Sequence, residues 1–156
     1  MQRFEDDRVA FGYPVGWAAR PGSINPSGNV TIVFVGSTAL PSDCAETANG
    51  GVCYPWPVMT LKPGEIVVAW RDHGMPGSTP PMGGEATTVG RRAATIIRGP
   101  ADKACAAIGG KGSIAVAVPK APGQVGWTGI DACLVGPGDD ALEATFAAML
   151  ASATIH

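Results

Sequence analysis

Apolar residues fall into short runs separated by glycine and proline, a pattern of strands and loops with helices as the exception. Val9–Tyr13 alternates well enough for a strand and is closed by the turn at Tyr13-Pro14-Val15-Gly16-Trp17. Val30–Val35 is the clearest strand: it is β-branched, apolar on both faces, and bounded by Gly28 and Gly36. Apolarity on both faces suits a central position in a sheet. Lys62-Pro63-Gly64-Glu65 has proline second and glycine third, which predicts a type II turn leading into a buried strand at Ile66–Trp70. Further strands are predicted at Arg92–Arg98, at Ser113–Val118 and at Trp127–Val135.

Two segments have helical character. Asp102–Ile108 suits a short helix stopped by Gly109-Gly110. Leu142, Phe146, Met149, Leu150 and Ala153 recur at helical spacing and predict a closing helix whose stripe lies on the sheet. Asp140 and Glu143 fit a D-x-x-E capping pattern at its start. Strands with one short and one terminal helix define an α+β class, an antiparallel sheet flanked by helices. Residues 1–8 are polar and read as a flexible N-terminal segment; 9–156 form one domain with no internal repeat. Residues 20–28, 37–64 and 72–85 read as loops rich in glycine and proline.

Composition narrows the functional classes. The 156 residues are 46% hydrophobic and 15% charged. A soluble domain carries about 25% charged residues, so glycine, proline, serine, threonine and alanine build much of this surface. Net charge is −2, which gives no basic footprint for nucleic acid. It gives no polybasic patch for a membrane surface either, and no apolar run approaches the roughly 20 residues of a transmembrane helix.

Four cysteines, Cys44, Cys53, Cys105 and Cys133, form an even set in a small, loop-rich chain. That is the signature of two disulfides in an oxidising compartment; free buried thiols and a metal site are the competing readings. Zinc sites use close pairs such as C-x2-C, and the spacings here are far longer, so no metal is expected. Of the three possible pairings, Cys44–Cys53 and Cys105–Cys133 are favoured because each closes a loop within one region. Residues Met1-Gln2-Arg3-Phe4-Glu5 carry no signal-peptide pattern. The expectation is therefore an extracytoplasmic protein whose signal or anchor is missing before residue 1, or else a cytoplasmic one.

Candidate chemistry is sparse. Arg71-Asp72-His73 is the one cluster with acid–base potential, although neighbours at a strand end face opposite ways. No G-x-S-x-G elbow is present. Gly109-Gly110-Lys111-Gly112-Ser113 departs from the phosphate loop and runs from helix to strand, so it reads as a helix stop and a turn. Tyr54 and Trp56 lie on a proline-stiffened loop and suit partner recognition, unless Trp56 folds back over the sheet. Met75 and Met82 would form a neighbouring apolar rim.

Val9-Ala10-Phe11-Gly12-Tyr13-Pro14-Val15-Gly16-Trp17 resembles the opening strand and turn of Mog1/PsbP-like domains, and Leu142–Ser152 resembles their closing helix. The middle of the chain is similar to uncharacterised actinobacterial exported proteins. The similarity lies in Val68-Ala69-Trp70, His73–Gly77, Val89-Gly90-Arg91-Arg92-Ala93, Cys105–Gly110 and Cys133–Pro137. The resemblance implies an αβα sandwich around an antiparallel sheet and a non-catalytic binding or assembly role, with no catalytic motif to carry over.

The expected function is a non-catalytic extracytoplasmic module without a cofactor. It would recognise an unidentified protein or cell-envelope partner through the 37–64 and 72–85 loops. The alternatives are an enzyme with a cleft around Arg71, Asp72 and His73, or a secreted protease inhibitor presenting the Cys44–Cys53 loop.

Overall fold

A computed structural model describes residues 1–22, 30–41 and 56–156. The strands run β1 (Gln2–Glu5), β2 (Val9–Tyr13), β3 (Ala18–Pro21), β4 (Val30–Gly36), β5 (Ile66–His73), β6 (Glu85–Val89) and β7 (Arg92–Pro100). Helix α1 (Lys103–Ala107) precedes β8 (Gly112–Pro119) and β9 (Trp127–Leu134). Helix α2 (Asp139–Ala151) and β10 (Thr154–Ile155) close the chain. Seven strands form one antiparallel sheet in the order β3-β4-β5-β9-β8-β7-β6, and β1-β2-β10 form a second, three-stranded sheet. The class is α+β, as the residue pattern predicts.

Strand alternation divides the core in two. Ile66, Val68 and Trp70 of β5 face one side, with Ile130 and Ala132 of β9 and Ile114 and Val116 of β8. We call this the inner face. Helix α2 covers it with Phe146, Met149 and Leu150, and the small sheet covers it with Val9, Phe11 and Tyr13. Phe11 stacks on Trp70 with ring centroids 4.3 Å apart and joins the two sheets. Val67 and Ala69 of β5 and Cys133 of β9 face the outer side, where Trp56, Val58, Leu61 and Cys105 of α1 cover them. Both flanks of β5 are buried, which is why Ile66–Trp70 has no polar alternation.

The Cys105–Cys133 bond ties α1 to β9. Gly110 lies so close that a Cβ there would collide with both sulfurs. Asp102 caps α1 by accepting from the Cys105 amide at 2.8 Å. The turn before β5 forms as expected: the Glu65 amide donates to the Lys62 carbonyl, and Gly64 takes the positive φ of a type II turn.

Several expectations require correction. The first eight residues are not a loose end, because Gln2–Glu5 pairs antiparallel with β2. Phe4 reaches Phe11 at 5.4 Å, and that one apolar anchor outweighs the surrounding charge. Arg20 and Pro21 belong to β3, and Asp72 and His73 extend β5, so each adjoining loop is shorter than predicted. Strands β6 and β10 were not expected; β6 reads Glu-Ala-Thr-Thr-Val, an edge strand with no apolar face. The cap of α2 is Gly138 and not Asp140; Asp139 and Asp140 lie in the first turn, and Glu143 instead pairs with Arg98 at 3.2 Å. Cys44, Cys53 and Tyr54 lie outside the described residues, and with them the Cys44–Cys53 pairing and the inhibitor loop.

Candidate functional site

The end of β5 sends polar side chains to both faces of the large sheet. Arg71 and His73 share the outer face with Ala69, and Asp72 shares the inner face with Trp70. The three residues of the predicted acid–base cluster therefore do not converge on one cleft.

On the outer face Arg71 is buried, and its Nη1 donates to Asp131 of β9 at 2.6 Å. Its guanidinium also lies over the Trp56 ring, 5.2 Å from the centroid. Trp56 is only 8% exposed and packs toward Phe34, so it covers the sheet and is withdrawn from the recognition surface assigned to it. Two residues further along β5, on the same face, His73 stacks on Trp127. Gly129 makes room for this pair: a Cβ there would meet His73 Nε2 and the Trp127 ring, each at 2.9 Å. His73 Nε2 is buried without a hydrogen-bond partner among the described residues. Burial is the largest influence on this imidazole and pushes its pKa below the ordinary value; Asp131 and Asp72 oppose the shift and Arg71 reinforces it.

The segment from Gly74 to Gly84 carries the chain from β5 across the outer face to β6 at the far edge. Trp127 Nε1 donates to Ser78 Oγ at 3.2 Å, which pins this segment to β9. Pro81 lies over Thr95, Ala115 and Ala117 with only a crevice of about 10 Å³ between them. The small side chains of β8 let the crossing segment approach the sheet. Met75 and Met82, at 45% and 96% exposure, remain in solvent on this anchored segment.

On the inner side, a cleft of about 290 Å³ opens where the small sheet stops short of the ends of β5, β7, β8 and β9. Arg8, Arg92, Lys120 and Asp72 line it together with Thr128 and Gln124. Lys120 Nζ holds Asp72 at 2.8 Å. Arg8 is taken by Asp6 at 3.1 Å, and Arg92 Nη2 donates to the Pro119 carbonyl at 2.7 Å. Of these residues only Asp72 was singled out from the sequence. Arg8, Arg92, Lys120 and Thr128 are isolated along the chain, and only the strand register gathers them.

No known protein family, curated protein or solved structure matches this chain. Among the described residues no group of histidine, cysteine and carboxylate side chains is placed to hold a metal ion. No helix among them is long and apolar enough to cross a membrane.

Proposed function

We propose that the chain is a non-catalytic binding module of the Mog1/PsbP-like kind that works outside the cytoplasm. It meets a protein or cell-envelope partner through the segment joining β5 to β6. The observation that carries this reading is the double character of that segment. Ser78 and Pro81 fix it against the sheet, while Met75 and Met82 stay exposed. An anchored segment loses little conformational freedom when a partner docks, and methionine adapts to varied apolar surfaces. Met59, at 81% exposure, is the contact that the described part of the 37–64 loop offers in place of Trp56. The Cys105–Cys133 bond supports an oxidising compartment. The separation of Asp72 from Arg71 and His73 by the sheet favours binding over catalysis.

A photo-crosslinking residue placed at position 82, at 75 and, as a control, at the exposed Val15 tests the reading in the protein's native compartment. A discrete adduct at 82 and 75, absent at 15 and competed away by unlabelled protein, is the expected result. The same adducts at all three positions, or none at any, would overturn it.

A further inference from the structure

We propose that the inner-face cleft is a binding site for a small oxyanion, a ligand presenting a phosphoryl or carboxylate group. It lies across the sheet from the outer-face contacts of Ser78 and Pro81 that anchor the proposed docking segment, so the two readings stand or fall separately.

Three of the chain's eleven basic residues converge here in a protein of net negative charge. They arrive from three places: Arg8 between β1 and β2, Arg92 at the start of β7, and Lys120 just after β8. Two already have carboxylate partners, Asp6 for Arg8 and Asp72 for Lys120. Arg92 has none among the described residues. Its bond to the Pro119 carbonyl uses one of the guanidinium's donors and fixes the group, leaving the rest of the planar fork for a ligand. Such a fork matches the paired oxygens of carboxylate and phosphate, and an anchored one loses less freedom on binding. Thr128 and Gln124 add a hydroxyl and an amide to the lining. The cleft volume, about 290 Å³, stands at the lower end of small-molecule sites, which start at roughly 300 Å³. That volume is enough to seat the anionic group of a small ligand.

Asp72 is the internal rival of that ligand. It occupies Lys120 at 2.8 Å, and an entering oxyanion draws the ammonium away from it. Removing the Asp72 charge therefore strengthens binding, and removing Arg92 weakens it.

The test is a two-dimensional NMR titration of the full chain with inorganic phosphate and, separately, with succinate, at constant ionic strength. Saturable shifts are expected at the Arg92 side-chain N–H and at the amides of Lys120, Gln124 and Thr128 with at least one probe. Phosphate alone identifies a phosphoryl ligand, succinate alone a carboxylate, and both a general oxyanion site. Arg92→Ala raises the dissociation constant by about ten-fold, the scale of one charge-assisted hydrogen bond. Arg92→Lys, which keeps the charge and loses the fork, also weakens binding and serves if the alanine variant misfolds. Asp72→Asn tightens binding, and Arg91→Ala, exposed and outside the cleft, leaves it unchanged. An absence of saturable shifts with either probe would overturn the proposal. So would equal losses from Arg91→Ala and Arg92→Ala, since these would report bulk charge alone.

Discussion

His73 lies flat against Trp127, with ring centroids 3.9 Å apart and planes 13° from parallel. The two residues are register partners at one end of the β5–β9 ladder. Trp127 also holds Ser78, so one indole secures both the end of β5 and the segment that leaves it.

That contact makes stability sensitive to mild acid. Burial holds the His73 pKa below the ordinary 6.5, so the unfolded chain binds the proton more readily than the folded one. The stability contributed by neutral His73 is complete above pH 6.5 and is lost as pH falls through the folded pKa. Melting temperatures measured from about pH 8 to about pH 5 fall for the native sequence, and His73→Phe flattens this part of the curve. Parallel curves for the two proteins would contradict the assignment. Asp6 acts in a lower window. Burial opposes its ionisation, but the Val9 and Arg8 amides and the Arg8 side chain prevail and hold its pKa below 3.8. Its contribution is therefore intact above pH 3.8 and disappears only in stronger acid.

The Cys105–Cys133 bond closes a loop with a sequence separation of 28. Loop-closure entropy assigns such a bond about 3–4 kcal/mol. Replacing both cysteines by alanine lowers unfolding stability by about that amount, measured by urea denaturation of the oxidised protein. Gly110→Ala reaches a similar end by another route, because its Cβ would collide with both sulfurs. Its expected signature is the loss of that bond's share of the stability's response to reductant; an unchanged response would show that the loop yields to admit the methyl group.

Phe11 and Trp70 are completely buried, and their stacked rings join the small sheet to the large one. Phe11→Ala removes the ring from a site that the two sheets hold apart, so collapse into the space is limited. The expected cost is about 3–5 kcal/mol in chemical denaturation. Phe4→Ala, at the half-buried edge of the same cluster, costs less than half of that.

The interior of this fold was legible in the sequence because burial dictates residue type there. Val30–Val35, Ile66–Trp70 and the stripe from Phe146 to Leu150 could be placed because both faces of the strands and one face of the helix are covered. Strands β1, β3, β6 and β10 escape the residue pattern because they are short and all four lie at sheet edges. Edge strands need only backbone pairing and one or two apolar anchors, such as Phe4 in β1. The site was less legible for a related reason. The alternation along β5 correctly warned that Asp72 and His73 diverge. What each then meets, Lys120 on one side and Trp127 on the other, follows from long-range register with β9 and its hairpin. Trp56 settles a choice the sequence leaves open: its proline-rich loop suits either exposure or folding back over the sheet, and the indole covers Arg71 and Phe34.

Arg71 and Asp131 supply the last prediction, in which partial burial decides the magnitude. The Arg71 side chain is 8% exposed and the Asp131 side chain 31%, with nitrogen and oxygen 2.6 Å apart. Removing one member of a fully buried pair costs about 3–5 kcal/mol because a charge is stranded. Here water reaches Asp131, and Trp56 shields the guanidinium by a cation–π contact, so Asp131→Ala should cost about 1–3 kcal/mol. Arg71→Met keeps much of the packing stem and leaves the more solvated partner alone, so it costs less than Asp131→Ala. The double variant Arg71→Met/Asp131→Ala should be no less stable than Asp131→Ala alone, because no buried charge remains to be stranded. A thermodynamic cycle over the four proteins measures this coupling directly. Strict additivity would mean that packing under Trp56, and not the Asp131 carboxylate, holds Arg71 in place.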